Sequence, residues 1–143
     1  KAIRRQRQMC IRDSSLSEKA KASECLCINY DMRTSMDDQS QRIFNALEPG
    51  TIFPIHRHQN TSETVIVLWG AMREDFYNDN GELAASYILK AGTDNFILQV
   101  PVGQWHTLTC LESDTILFNA KNRTYSPVSI DDILIKSLNN HKC

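Results

Sequence analysis

The segment "PIHRHQNTSETVIVLWG", from Pro54 to Gly70, holds two of the four histidines of the chain directly before an apolar run. Side chains alternate between the two faces of a strand, so His56 and His58 are predicted to point to the same side. Glu63 follows the loop "QNTS" and opens the next strand, where Val65 shares its inward parity. The spacing therefore predicts that two imidazoles and one carboxylate converge inside a β-structure.

A third histidine comes from a distant segment, "PVGQWH", which ends at His106. Pro101 and Gly103 predict a tight turn before it, and His106 then begins another strand. Three imidazoles and one carboxylate form a donor set for one divalent first-row metal and leave coordination positions open for water or substrate. The same set suits zinc, iron, manganese and nickel alike.

The remainder of the chain predicts an all-β fold. Short segments rich in β-branched and aromatic residues are separated by turn signals such as "PG", "NDNG", "KAGTD" and "ESD". Strands at this spacing, without helices between them, predict an antiparallel sandwich or closed barrel, with its core at about residues 40–122. A capping-box pattern at Ser15 and Glu18 predicts a short helix over residues 15–24, and Ser129 with Asp132 predicts a second helix extending to Leu138.

Length and composition favour one domain. The chain has 143 residues, 41% of them hydrophobic, and a net charge of −1, which suits a single core over residues 15–143. No apolar stretch approaches the roughly 18 residues of a membrane span, and the amino end lacks the apolar core of a signal peptide. Five cysteines, an odd number without framework-like spacing, favour reduced thiols and a cytoplasmic protein.

The first fourteen residues are basic and are predicted to be a flexible leader. Lys1, Arg4, Arg5, Arg7 and Arg12 bring five positive charges without an acid. Aromatic residues, which nucleic-acid-binding arms interleave with their cations, are missing between them. We therefore expect no nucleic-acid partner and no membrane partner.

The motifs as a whole resemble the cupin superfamily, whose fold is a double-stranded β-helix, a jelly-roll-like antiparallel barrel. "GTIFPIHRHQNTSETVIVLWG" is similar to the first cupin motif and "PVGQWH" to part of the second, although Cys110 stands where many cupins have asparagine. The matching residues are Gly50, His56, His58, Glu63, Gly70, Pro101, Gly103 and His106.

More narrowly, "CINYD", "QRIFNALEPGT", "VPVGQWHT" and "LFNAKNRTYSP" resemble the WbuC family of cupin-fold metalloproteins, found with bacterial surface-polysaccharide genes. The tail "IDDILIKSLNNHKC" departs from that family. The resemblance implies that Tyr125 contributes to the site and that the ligand is a sugar or sugar nucleotide. It also implies one divalent metal, with the ligands His56, His58, Glu63 and His106.

Three further residues are candidates for substrate binding. Arg42 and Asn45, on the segment "RIFNALE", would bind an anionic or hydroxylated substrate if they face the interior, and Trp105 stands next to a predicted ligand. Three functions remain open. The protein is a metal-dependent isomerase, epimerase or iron-dependent dioxygenase, a non-catalytic module that binds or senses a small molecule, or an interaction domain with a structural metal. A homodimer is expected, because pairing removes the liability of an open edge strand.

Overall fold

The computed structural model describes residues 15–134; the predicted leader and residues 135–143 lie outside this part. It contains one α-helix, eight β-strands and one 3-10 helix. In chain order these are α1 (Ser15–Ala22), β1 (Cys27–Asp31), β2 (Ser40–Leu47), β3 (Glu63–Trp69), β4 (Ala71–Tyr77), β5 (Leu83–Lys90), β6 (Ile97–Val100), β7 (Trp105–Cys110), β8 (Thr115–Asn122) and the 3-10 helix (Ile130–Asp132).

The strands form two antiparallel sheets. One has five strands in the order β1-β2-β8-β3-β6, and the other has three in the order β5-β4-β7. This is the predicted antiparallel barrel architecture, and the all-β prediction is confirmed. The helix predicted over residues 15–24 is also present and ends at Ala22.

The space between the sheets is filled by alternate residues of the strands. Val65 and Val67 of β3 lie in the core with Leu117 of β8 and Met72 of β4. Cys110 of β7 joins them, because it is four residues from His106 and alternation places both on the same face of the strand. Side chains of the same parity, further along these strands, therefore face the interior and build the site described below.

The other face of β2 packs outward against α1. Phe44, Ala46, Ile116 and Ala20 form a second buried cluster there. Burial of this apolar face holds the helix on the barrel, and the odd-numbered residues of β2 remain directed inward.

Two sequence-based expectations are wrong in detail. The segment "TIFPIHRH" is not a regular strand: only His56 forms isolated bridges, to His106 and to Ile133. Pro54 cannot donate a backbone hydrogen bond. Within the described residues, the predicted carboxyl-terminal helix is a single 3-10 turn capped by Ser129, because Ile133 is extended, with φ −123° and ψ 128°. The predicted part from residue 135 to Leu138 lies outside the described residues.

Within residues 15–134, no helix has both the length and the apolar character needed to cross a membrane.

Candidate metal centre

Four side chains that are far apart in sequence meet inside the barrel. One donor atom from each of His56, His58, Glu63 and His106 can be chosen so that all four lie within 4.8 Å of one another. The ring centroid of His56 is 4.4 Å from that of His106 and 5.0 Å from that of His58. The structure thus brings together the four residues that the sequence predicts as ligands.

His56 is held by its backbone and by its ring. Its N–H donates to the carbonyl of His106 at 3.0 Å, and the N–H of His106 donates back at 2.8 Å. This single bridge fixes the irregular segment on β7. Nδ1 of His56 lies 3.0 Å from the carbonyl oxygen of Pro54. Because that oxygen only accepts, Nδ1 carries the proton and Nε2 keeps its lone pair for an ion.

His106 is oriented by a carboxyl group on the neighbouring strand. Its Nδ1 lies 2.6 Å from Oε1 of Glu74, and both side chains are almost fully buried. Nε2 of His106 is buried and has no hydrogen-bond partner among the described residues. A buried polar atom without a partner is costly. A metal ion bound to Nε2 would remove this cost.

Glu63 lies in a network of amide side chains. Asn119 of β8 donates to Oε1 of Glu63, and Asn45 of β2 donates to Oδ1 of Asn119 at 2.9 Å. The second carboxylate oxygen, Oε2, lies 3.2 Å from Nε2 of His58. The amides therefore fix one oxygen and direct the other toward the imidazoles.

Lys121 borders the same cluster. Its Nζ lies 3.2 Å from Nε2 of His58 and 3.6 Å from Oε2 of Glu63. Its register partner in the β3–β8 ladder is Glu63, so the two side chains lie on the same face. The ammonium group provides a positive charge at the rim of the centre.

The ionisation of the ligands suits metal binding. Burial, together with the neighbouring His106, lowers the pKa of His56 to about 3, and burial lowers the pKa of His106 to about 4. Burial opposes ionisation of Glu63, but the hydrogen bond to His58 and the charge of Lys121 outweigh it and lower its pKa. The two imidazoles are therefore neutral and the carboxylate charged at neutral pH, which are the forms that bind metals.

These residues fit one divalent ion. Donors bound at about 2.0 to 2.2 Å from one ion are at most roughly 4.4 Å apart, so the observed cluster needs only a small contraction. The Nδ1 atoms of His56 and His106 are each held by a hydrogen bond, which leaves their Nε2 atoms for an ion. Support of this kind from neighbouring groups is typical of histidine ligands in metal sites.

Two cavities meet at the centre. The inner one, of about 180 Å³, is lined by His56, Glu63 and His106 together with Asn45, Asn119, Glu74 and apolar residues such as Phe53 and Leu108. The outer one, a groove of about 430 Å³, lies between residues 57–61 and residues 121–129 and reaches His58. Lys121 borders both.

Two of the four predicted substrate residues line the cavities and two do not. Asn45 lines the inner cavity and Tyr125 lines the outer groove. Arg42 shares the outward parity of Phe44 on β2 and forms an ion pair with Asp38 at 2.8 Å, so it does not face the interior. Trp105 is buried under the guanidinium of Arg57, 4.4 Å from the ring centroid, and lines neither cavity.

Three residues of the site were not singled out from the sequence: Glu74, Asn119 and Lys121. Their parity on the strands was the available signal. Glu74 is two residues from the core residue Met72, and Asn119 and Lys121 continue the inward series of Leu117 on β8.

The fold is that of a cupin barrel, and its cluster of three histidines and one glutamate could hold a metal ion. Capsular polysaccharide assembling protein CapF from Staphylococcus aureus is similar with a TM-score of 0.57 and 21% identity, over 69% of this chain and 27% of that chain. KdgF from Halomonas sp. is similar with a TM-score of 0.54 and 16% identity, over 70% of this chain and 81% of that chain.

A variant of oxalate decarboxylase OxdC from Bacillus subtilis is similar with a TM-score of 0.55 and 18% identity, over 70% of this chain and 26% of that chain. The chain thus spans less than a third of the length of the CapF and OxdC chains. No curated protein sequence matches it. A family model described as "Domain of unknown function (DUF6016)" matches residues 12–89. The chain belongs to that family.

Proposed function

We propose that the protein binds one divalent transition metal through His56, His58, Glu63 and His106, and uses it to bind a sugar or sugar nucleotide. The observation that carries the proposal is the buried Nε2 of His106, which is oriented toward the cluster and has no described protein partner. Zinc, iron, manganese or nickel suits the donors. The Mn(II) centres named for oxalate decarboxylase support a metal in this fold.

A metal held by these residues would supply Lewis-acid chemistry toward an oxygen of the bound ligand. The chain supplies the rest of the binding site. Asn45 and Asn119 bring amide groups to the inner cavity, and Lys121 brings a positive charge to its rim. Such groups bind hydroxyl and anionic oxygens. Tyr125, Gln41 and Thr61 add polar groups along the groove, which has room for a ligand larger than the inner cavity holds.

The biological setting we propose is bacterial surface-polysaccharide metabolism in the cytoplasm. Its support is the sequence resemblance to the WbuC family, together with the fold similarity to a capsular polysaccharide assembling protein. No disulfide joins Cys25, Cys27 and Cys110 within the described residues, and the reduced state of the thiols stays a prediction. The predicted state of Cys10 and Cys143 concerns residues outside the described part.

We also propose a homodimer. Leu83 and Ile88 on β5 are 59% and 61% exposed, and β5 is an edge strand of the three-stranded sheet. Pairing of this edge with a second copy would cover the open edge of β5 and its exposed apolar side chains. Light scattering should give a mass near twice the 16.4 kDa of the chain. A mass of one chain at high protein concentration would exclude the dimer.

The test of ligand binding uses calorimetry on protein loaded with each of the four metals. Sugar nucleotides and free sugars are titrated into loaded protein and into chelator-treated protein, and the mixtures are then followed by nuclear magnetic resonance. We expect binding that requires the metal. A new product would identify the protein as an enzyme. An unchanged ligand would identify it as a binding module. Equal binding with and without metal would contradict the proposal.

A further inference from the structure

The outer groove has an excess of positive charge. Arg57, Lys121 and Arg123 line it, and Asp132 is its one carboxylate lining residue among the described residues. Asp132 is already bound: its Oδ1 accepts from Nε of Arg57 at 2.9 Å and from Nε2 of Gln59 at 2.6 Å. Lys121 and Arg123 are therefore the cations that remain for a ligand.

Lys121 and a metal ion compete for the same atom. Nε2 of His58 lies 3.2 Å from Nζ of Lys121 and 3.2 Å from Oε2 of Glu63. Nε2 carries either a proton, which donates to Glu63, or a lone pair, which accepts from Lys121, and a metal ion bound there would occupy the lone pair and exclude both hydrogen bonds. A bound divalent ion also repels the ammonium group and takes up the charge of Glu63. Loading the centre therefore releases Lys121, which borders the groove.

Arg123 is placed in the groove by an unusual backbone conformation. Its φ is 79°, a region that side-chain-bearing residues other than asparagine and aspartate rarely adopt. The strained residue is tied down on both sides: its N–H donates to the carbonyl of Gln39 at 2.6 Å, and its carbonyl accepts from the side chain of Gln41 at 3.2 Å. Strain of this kind is concentrated at ligand sites.

We propose that the outer groove binds a phosphoryl group of the ligand through Lys121 and Arg123, and that the metal ion makes Lys121 available for it. This rests on the proposed function, because the same ligand would contact the metal. Two cations match the two negative charges of a phosphate ester, and its three oxygens accept several charge-assisted hydrogen bonds. Hydroxyl and amide side chains further along the groove, such as Thr61 and Gln59, suit the remainder of a sugar phosphate or sugar nucleotide.

The first test compares glucose 1-phosphate, UDP-glucose and glucose in calorimetric titrations of zinc-loaded and chelator-treated protein. We expect the two phosphorylated probes to bind more tightly than glucose, and more tightly to loaded than to chelated protein. Equal affinity of glucose and glucose 1-phosphate would overturn the phosphoryl site. Equal affinity of glucose 1-phosphate for loaded and chelated protein would overturn the release of Lys121.

Two variants separate the groove from the metal. Arg123→Asn should lower the affinity for the phosphorylated probes about tenfold, while the melting temperature does not fall, because asparagine tolerates a positive φ. The Lys121→Met variant should bind the same probes more weakly. It should at the same time bind zinc more tightly, because the competing ammonium group is gone. A folding defect would lower both affinities. Lys19→Met, on the exposed face of α1, is the control and should change neither.

The outcomes also separate this inference from the proposed function. If sugars bind only in the presence of metal but Arg123→Asn binds glucose 1-phosphate as the parent does, the phosphoryl site is wrong and the proposed function stands. If the protein takes up no metal and the Arg123→Asn variant nevertheless loses phosphate binding, the groove is a phosphate site and the proposed function fails.

Discussion

Nδ1 of His106 lies 2.6 Å from Oε1 of Glu74 in the interior of the barrel, where Glu74 is 1% exposed and His106 is 4% exposed. The pair leaves Nε2 of His106 directed at the cluster of the other three ligands. A carboxyl group behind a histidine ligand fixes the ring and its tautomer. Glu74 is therefore a positioning residue for the metal centre.

Replacement of Glu74 should weaken metal binding in graded steps. Glu74→Ala removes the acceptor and should lower zinc affinity about 10 to 100-fold. Glu74→Gln keeps an oxygen that accepts from Nδ1, so its affinity should lie between those of the parent and the alanine variant. Competition with a chromophoric chelator measures all three. Identical affinities in the three proteins would show that Glu74 does not position His106.

Two glycines with nearly the same backbone conformation should differ in their tolerance of alanine. Gly70 has φ +72°, and a Cβ there would lie 2.3 Å from Oγ1 of Thr115, whereas Gly92 has φ +75° and no atom within 4 Å of its Cβ position. Gly92→Ala should cost about 1 kcal/mol of unfolding free energy from strain alone. Gly70→Ala should cost about 1 to 3 kcal/mol more, because of the overlap.

Urea unfolding of the two variants and the parent provides the measurement. Gly92→Ala serves as the control for the positive φ. Equal losses at the two positions would mean that the close approach of Gly70 to Thr115 has no energetic consequence.

The metal-free protein should lose stability as the pH falls from about 6.5 toward 4. His56 and His106 have folded-state pKa values of about 3 and about 4, below the ordinary value of 6.5. Between these values the unfolded chain binds more protons than the folded chain, so stability decreases with decreasing pH. The two imidazoles do not affect stability above their unfolded-state pKa, and below it they destabilise the folded state increasingly as the pH falls.

Urea unfolding of chelated protein from pH 7 to pH 4 measures this dependence. Carboxyl groups contribute to it as well, so the comparison is with the variant His56→Ala/His106→Ala. The slope with pH should be smaller in the variant. The same slope in both proteins would contradict burial of the neutral imidazoles.

Much of the centre could be predicted from the sequence because short spacing fixes the relative direction of side chains. His56 and His58 are two residues apart and do converge, although the segment that carries them is held by one bridge to β7 rather than by a strand ladder. Glu63 is the first residue of β3, and His106 is the second residue of β7. Parity along those strands then placed Val65 and Cys110 correctly in the core.

Residues whose direction depends on longer-range register could not be placed. Arg42 and Asn45 were equal candidates in the sequence, but pairing of β2 with β8 puts Asn45 beside the inward-facing Leu117 and Arg42 on the other face. Glu74 could not be predicted as a site residue, because its neighbour Asp75 is also buried and the alternation of polar and apolar residues is broken there. The carboxyl-terminal turn ends early because Ile133 pairs with His56, a contact that no local signal indicates.

If His56, His58, Glu63 and His106 hold one metal ion, the metal content per chain will depend on these side chains. Protein purified without a histidine tag should contain one divalent ion per chain by emission spectroscopy. His106→Ala should contain almost none while its circular dichroism remains that of the folded barrel, because apolar strands supply the core. Gln59→Ala, at an exposed position, should keep the ion, as should His141→Ala. Equal metal content in His106→Ala and the parent would show that His106 is not a ligand of the ion.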